Sequence, residues 1–201
     1  MDWDKFIFDR AAEILHQGDT VIDVGAHVGK YTEHFLALVG NSGKVISFEI
    51  NPKSFDSLNQ KFKNKPNVTL INAAVSDKTG HEDYYSGSTL FCTNIIGHDV
   101  NGKNKGLLGS IESIRLDEYI KEKIDFIKID VEGAEIKVLK GMERIMDKVK
   151  CILIECHFEQ DWGVLKDILF NYKLKCIDLK TGAKISSETQ SKPYQVFCYN
   201  Q

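Results

Sequence analysis

Apolar residues follow two spacings along the 201-residue chain, and the spacings alternate. Short apolar runs are typical of buried strands, and apolar residues every three or four positions are typical of helices. The runs predict strands over 20–24, 44–48, 68–72, 124–129, 150–155, 173–178 and 194–199. The helical spacing predicts helices over 4–16, 29–39, 51–65, 116–121, 134–146 and 160–170. Alternating strands and helices indicate an α/β fold with a parallel sheet and right-handed crossovers. The last two strands are expected to pair antiparallel.

The middle of the chain departs from this alternation. Residues 76–110 are rich in Gly, Asn, Asp, Ser and Lys and contain only short apolar pieces. We expect one or two short strands here, near 80–86 and 110–115, within the longest loop region of the chain. Loops of this length are often functional. The sequence has no internal repeat, and one domain over residues 1–201, with an N-terminal helix in residues 1–18, accounts for the pattern.

Composition narrows the functional classes. Hydrophobic residues make up 42% of the chain and charged residues 27%, with three prolines, as in a globular protein. The formal net charge of −3 gives no electrostatic reason to expect nucleic acid as a partner. No run approaches the roughly 20 apolar residues of a membrane span, and the N-terminus lacks a leader's basic start. We therefore expect a cytoplasmic protein that binds neither nucleic acid nor a membrane.

The five cysteines favour free thiols over a disulfide framework. Their number is odd, and they form no Cys-x-x-Cys pair. All except Cys92 lie in apolar, strand-like runs, where a thiol usually serves as a small core residue. These four are Cys151, Cys156, Cys176 and Cys198.

Residues 21–29, Val-Ile-Asp-Val-Gly-Ala-His-Val-Gly, form a strand, a glycine-containing turn and the start of a helix. Backbone N–H groups at such a helix start attract negative charge. Asp23 at the strand's end would repel a pyrophosphate, and the Gly-x-Gly-x-x-Gly of dinucleotide sites is absent. A ligand with an amino-acid end, which carries both charges, suits the turn better. The candidate contacts are Asp23, Gly25, Ala26, His27 and Gly29, and a plain structural turn remains the alternative.

The second strand ends at Glu49, where a carboxylate can accept both hydroxyls of an adenosine ribose. Ile50 is placed to lie against an adenine, and Ala73 or Ala74 after the third strand could approach its edge. A solvent-exposed acid before a helix is the other interpretation of Glu49. Asp23 and Glu49 together favour a nucleoside ligand, because both follow neighbouring strands at one sheet edge.

Two further strands bring candidate chemistry to the same edge. Asp130 follows the fourth strand, and Glu155 and His157 share one face at the end of the fifth. His157 could act as a general base, with Asp130 or Glu155 orienting it. These three residues could instead hold a divalent cation. Glu135 is better explained by the preference for acids in the first turn of a helix.

Six blocks in order resemble the FkbM-type methyltransferases that depend on S-adenosylmethionine. They are Val-Ile-Asp-Val-Gly-Ala-His-Val-Gly-Lys-Tyr-Thr (21–32), Val-Ile-Ser-Phe-Glu-Ile-Asn-Pro (45–52), Asn-Ala-Ala-Val-Ser-Asp (72–77), Arg-Leu-Asp-Glu-Tyr (115–119), Ile-Lys-Ile-Asp-Val-Glu-Gly-Ala-Glu (127–135) and Leu-Ile-Glu-Cys-His (153–157). The fifth block is the most specific. One departure is His27, where such proteins often carry Asn.

The resemblance implies a doubly wound, Rossmann-like class I methyltransferase sheet of seven strands, the last antiparallel, with helices on both faces. It implies S-adenosylmethionine as methyl donor and a hydroxyl oxygen on a small molecule or sugar as acceptor. The substrate site is then expected mostly from residues 76–110 and the N-terminal helix. The alternative is a module on the same fold that binds a nucleoside or a partner protein without catalysis.

Overall fold

The computed structural model of the protein describes residues 3–86, 93–97 and 106–200. The strands in this part are β1 Thr20–Val24, β2 Lys44–Phe48, β3 Val68–Ile71, β4 Ala74–Val75, β5 Gly80–Ser86, β6 Thr93–Asn94, β7 Leu107–Ile114, β8 Ile124–Ile129, β9 Val149–Glu155, β10 Lys175–Asp178 and β11 Gln195–Tyr199. The α-helices are α1 Trp3–Ile14, α2 Lys30–Val39, α3 Pro52–Phe62, α4 Leu116–Tyr119, α5 Glu135–Lys140 and α6 Trp162–Asn171. The 3-10 helices are Glu143–Lys148 and Glu159–Asp161.

A seven-stranded sheet in the order β10-β11-β9-β8-β1-β2-β3 organises the fold. Its central pairs are parallel, and β11 runs antiparallel to both β9 and β10. The predicted α/β class, the seven strands and the antiparallel last strand are confirmed. Because β8 and β2 flank β1, the segments that follow these three strands meet at one edge of the sheet.

Alternating residues of the central strands supply two separate cores. Val21, Val45 and Phe126 pack with α1 and α2 on one face of the sheet. Ile22, Ile46 and Ile127 pack with α4, α5 and α6 on the other. Side chains that alternate along a strand point to opposite faces, so near-continuous apolar strands bury both faces under helices. The predicted doubly wound arrangement is therefore confirmed.

A second sheet, in the order β4-β7-β5-β6, occupies the region predicted to be mostly loop. The predicted strand near 80–86 is present as β5, but the strand expected near 110–115 begins earlier, at Leu107. The short strands β4 and β6 were not predicted, because two-residue strands leave no periodic pattern. Residues 87–92 and 98–105 of this region lie outside the described residues.

The helix predicted over residues 134–146 is wrong in its length. Helix α5 ends at Lys140, and a 3-10 helix follows from Glu143. A Cβ on Gly141 would lie 2.1 Å from the carbonyl oxygen of Ser76, so the backbones touch there. The carbonyls of Lys140 and Gly141 accept hydrogen bonds from Arg115 and from the Asp117 N–H, at 2.9 and 3.0 Å. These outside contacts end the helix.

The expectation of four free core thiols is also wrong in part. Cys176 and Cys198 face each other in the register of β10 and β11, with their Cα atoms 4.2 Å apart, and form a disulfide. Cys151 and Cys156 are buried free thiols, as expected, and Cys92 lies outside the described residues. Among the described helices, none has the length and apolar character needed to cross a bilayer.

Candidate functional site

A cavity opens where the main sheet's carboxyl edge meets the second sheet. Segments after β1, β2, β3 and β8 line it, together with residues of the 93–97 segment. The lining residues are Val24, Gly25, Ala26, His27, Lys30, Tyr31, Phe48, Glu49, Ile50, Ala73, Ala74, Val75, Thr93, Ile95, Asp130, Val131, Glu132 and Ala134. The cavity therefore lies at the sheet edge where ligands of doubly wound folds bind.

Seven of the nine residues predicted to bind the cofactor line this cavity. They are Gly25, Ala26, His27, Glu49, Ile50, Ala73 and Ala74. Asp23 and Gly29 lie behind the wall. Asp23 is fully buried, and a Cβ on Gly29 would meet Phe62 and Leu58 of α3 at 2.5 and 2.6 Å. The structure thus places these two where they shape the turn rather than where they face the cavity.

Glu49 is held by backbone N–H groups. Its two carboxylate oxygens accept hydrogen bonds from the amides of His27 and Asn51, each at 2.7 Å. Burial raises the pKa of Glu49 to about 7, although both hydrogen bonds favour the charged form. Each oxygen keeps a further lone pair, so the fixed carboxylate can still accept hydrogen bonds from a diol.

The turn after β1 is pressed against the β8 segment. Gly25 has φ 82°, and a Cβ there would lie 1.8 Å from the carbonyl oxygen of Asp130. Only glycine therefore fits at this position. His27 has φ 52°, a conformation in which Asn, Asp and His are several-fold enriched. His27 therefore suits the left-handed backbone of this turn.

An ion-paired chain runs beneath the turn. The Nζ atom of buried Lys128 lies 3.7 Å from Asp23 and 3.1 Å from Asp130, and 4.4 Å from the ring centre of Tyr31. Burial opposes the charge on Lys128, but Asp130 and Asp23 outweigh it and raise its pKa. Asp23 also accepts a hydrogen bond from Thr32 at 2.7 Å. Lys128 is the centre of this chain of charges.

The three predicted catalytic residues lie together, but only Asp130 lines the cavity. The Nε2 atom of His157 is 3.7 Å from both Asp130 and Glu155. Burial raises the pKa of Glu155, the charge of Asp130 adds to this effect, and Tyr194 donates a hydrogen bond to Glu155. Glu155 and His157 thus form a layer behind Asp130.

His157 carries a proton at neutral pH. Burial lowers its pKa, but a 2.7 Å hydrogen bond to Glu135 and the charges of Glu135, Asp130 and Glu132 prevail and raise it to about 9. An imidazolium cannot accept a proton. A base role for His157 therefore requires that its proton leave first.

Asp130, Glu155 and His157 also offer a set of ligand atoms for a metal. One atom from each lies within 4.8 Å of the other two, the one such group of three in the described part of the chain. Two carboxylates and an imidazole suit a divalent transition metal. The distances among these three ligand atoms are compatible with a single metal ion.

Sequence reasoning missed four contributors. Glu132 lines the cavity, and Glu135, interpreted as a helix-start acid, is 2% exposed and binds His157. Lys30 and Tyr31 also line the cavity, and both contact Asp4 of α1. The Val-Glu-Gly-Ala-Glu run gave a signal for the two acids. Nothing in the sequence pairs Asp4 with α2.

The cavity suits an adenosine that carries an amino acid. Glu49 offers hydrogen-bond acceptors to a ribose beside the apolar wall of Phe48, Ile50 and Ala73. At the other end, Lys30 can pair with a carboxylate and Asp130 with an ammonium group. Gly25 lines the cavity between these ends, and its lack of a side chain lets the turn touch the Asp130 backbone.

Residues 23–174 match the family described as the methyltransferase FkbM domain. The chain is 26% identical to hexuronic acid methyltransferase AglP of Haloferax volcanii over 170 residues, which is 81% of this chain and 66% of AglP. It is 27% identical over 160 residues to the 2-O-methyltransferase NoeI of Sinorhizobium fredii, 71% of this chain and 65% of NoeI. The chain thus spans just under two thirds of these relatives.

Two solved structures have the same fold. Methyltransferase FkbM from Methylobacillus flagellatus superposes with a TM-score of 0.60 and 16% identity, over 96% of this chain and 50% of that one. A SAM-dependent O-methyltransferase from Thermotoga maritima gives a TM-score of 0.56 and 13% identity, over 99% and 65% of the two chains. Because the sequence identities are this low, the two structures show that the fold is shared and nothing about substrate.

Proposed function

Because the chain belongs to the FkbM methyltransferase family, with S-adenosylmethionine as cofactor, we propose that it methylates a hydroxyl oxygen of a sugar or another small molecule. The observation that carries the proposal is that one cavity is lined by both Glu49 and Asp130. One end offers acceptors for a ribose and the other an ion-paired carboxylate. The name of AglP, a hexuronic acid methyltransferase, supports a sugar as the acceptor, and the name of NoeI, a 2-O-methyltransferase, supports oxygen as the methylated atom.

The protein's contribution is alignment and exclusion of water. When bound, S-adenosylmethionine supplies a methyl group on a sulfonium, already a strong methyl donor. Glu49 fixes the ribose, Gly25 lets the turn after β1 pack against the backbone of Asp130, and Asp130 holds the ammonium group. A fixed approach of donor and acceptor can lower a barrier by several kcal/mol, on the order of 7 or more in well-oriented reactions.

We assign His157 a positioning role in the protonated form. Its charge lies 3.7 Å from Asp130 and 3.9 Å from Glu132, so it holds these two carboxylates at the cavity wall. The role of His157 as a general base, indicated by the sequence, remains a prediction. It requires a pH dependence of turnover opposite to that of the positioning role. A positioning imidazolium requires turnover to fall as the pH rises through about 9, and a base requires it to rise.

Methyl transfer from labelled S-adenosylmethionine tests the proposal. The protein is incubated with a panel of neutral methyl glycosides and hexuronic acids, and products are identified by mass spectrometry with the methylated position mapped by fragmentation. A labelled methyl ether supports the proposal. Label on nitrogen or carbon, or a methyl ester at a carboxylate, contradicts the hydroxyl assignment, and cofactor binding with no transfer to any compound favours the non-catalytic module. The same assay with EDTA, and with Mg²⁺ or Mn²⁺ restored, tests the metal alternative.

A further inference from the structure

Glu132 is held in a backbone conformation that its side chain disfavours. Three non-glycine residues in the described part of the chain have positive φ: His27 at 52°, Glu132 at 54° and Lys173 at 57°. Histidine is enriched in this region, and Lys173 lies in an exposed turn after α6. Glutamate has no such preference, and Glu132 lines the cavity. Strained residues of this kind concentrate at functional sites.

The residue that follows Glu132 is tightly packed. A Cβ on Gly133 would lie 2.1 Å from the ring of Phe158 and 2.7 Å from Ile96, so the turn packs tightly against both. The Gly133 N–H donates a hydrogen bond to Glu135 at 3.0 Å, and the same oxygen of Glu135 binds His157. Glycine would suit position 132 better. The fold therefore retains the carboxylate at a cost in stability.

Glu132 lines the cavity across β1 from the proposed ribose position. Glu49 follows β2 and Glu132 follows β8, on opposite sides of β1. Asp130 is already paired with Lys128 at 3.1 Å. Glu132 is 3.9 Å from His157, beyond hydrogen-bond distance, and its side chain is 34% exposed. It can therefore accept a hydrogen bond from a ligand that enters beside the cofactor.

We propose that Glu132 is the catalytic residue that binds the acceptor's hydroxyl group and takes its proton. This inference rests on the proposed function. A lone pair of the hydroxyl oxygen forms the bond to the methyl carbon. The carbon–sulfur bond breaks, and its electron pair stays on sulfur to give S-adenosylhomocysteine. The hydroxyl proton moves to the carboxylate of Glu132, which later releases it to water. No oxidant, reductant or further reactant is needed.

The test compares Glu132→Gln, Glu132→Gly and wild type in three measurements. S-adenosylhomocysteine affinity, by titration calorimetry, is expected to stay within about threefold for both variants. Relief of strain in Glu132→Gly is expected to raise the thermal midpoint by about 2 °C. Turnover with any glycoside that wild type accepts is expected to fall at least 100-fold in Glu132→Gln, the scale of a lost proton acceptor.

Two controls calibrate the stability measurement. Lys173→Gly relieves the same strain in an exposed turn and should raise the midpoint similarly. Glu112→Gly, in the exposed face of strand β7, should lower it, because glycine in a strand costs conformational entropy.

The outcomes separate this proposal from the proposed function. Stabilisation of Glu132→Gly with unchanged cofactor affinity supports a strained carboxylate kept for the acceptor, even before an acceptor is found. Unchanged stability, loss of cofactor affinity or undiminished turnover in Glu132→Gln would each overturn it. If wild type itself fails to bind S-adenosylhomocysteine, the proposed function fails first.

Discussion

Individual residues show what a sequence can and cannot predict about charge. Glu49 was predicted from its place at a strand end, and the structure places it in the cavity wall. Its pKa of about 7 follows from burial, which no local pattern reveals. The protonated state of His157 depends on Glu135, which is 22 residues away and was explained from the sequence alone by the preference for acids in the first turn of a helix. The sequence was enough to identify Glu49 and His157 as candidates, but their charge states depend on neighbours that only the three-dimensional structure shows.

The ionisation of Glu49 should control nucleoside affinity. Its charged form is the better acceptor for ribose hydroxyls, and that form predominates only above about pH 7. The affinity for 5′-methylthioadenosine, which has the ribose but no titrating amino acid, should rise about tenfold from pH 6 to pH 8. Calorimetry measures it. Glu49→Gln should bind more weakly and show no such rise, and an equal rise in the variant would remove Glu49 as the cause.

At the scale of elements, long periodic segments were predictable and contact-dependent ends were not. Strands β1, β2 and β8 were predicted with their observed bounds. Helix α5 ended early because Gly141 touches the backbone of Ser76, a contact between segments distant in sequence. The second sheet was missed in part for the same reason, since β4 and β6 are defined by pairing rather than by periodicity.

The turn after β8 should tolerate no side chain at Gly133. Gly133→Ala places a methyl group into Phe158 and Ile96 at φ 105°, and should cost about 2–4 kcal/mol in unfolding free energy. The matched control is Gly163→Ala in α6, where a Cβ meets nothing within 4 Å. That variant should be more stable by about 0.5–1 kcal/mol. Urea denaturation measures both, and equal effects of the two substitutions would contradict the described packing.

At the scale of the whole molecule, the strand order brings acidic residues from distant parts of the chain to one edge of the sheet. Asp23, Glu49 and Asp130 lie far apart in the chain, and the α/β alternation was enough to predict that they share an edge. The order β9-β8-β1-β2 confirms it. Which acids face the cavity and which support it from behind was not predictable, because it depends on turn geometry at Gly25 and Glu132.

The buried charge cluster should make global stability depend on pH. The pKa of His157 rises from 6.5 in the unfolded chain to about 9 when folded, so its contribution is complete below pH 6.5 and lost as the pH rises through 9. The destabilisation caused by His157→Gln should therefore shrink by roughly 3 kcal/mol between pH 6 and pH 10. The control His16→Gln, at an exposed histidine, should leave the wild-type profile unchanged. A pH-independent effect of His157→Gln would show that the proton is not held there.

Titration of the protein with S-adenosylhomocysteine, and in parallel with NADH, tests the central claim most directly. One molecule of S-adenosylhomocysteine should bind per chain, with affinity reduced at least tenfold in Glu49→Ala, and NADH should not bind. Binding of NADH in place of S-adenosylhomocysteine, or an affinity for S-adenosylhomocysteine that Glu49→Ala leaves unchanged, would contradict the assignment of this cavity to the methyl donor.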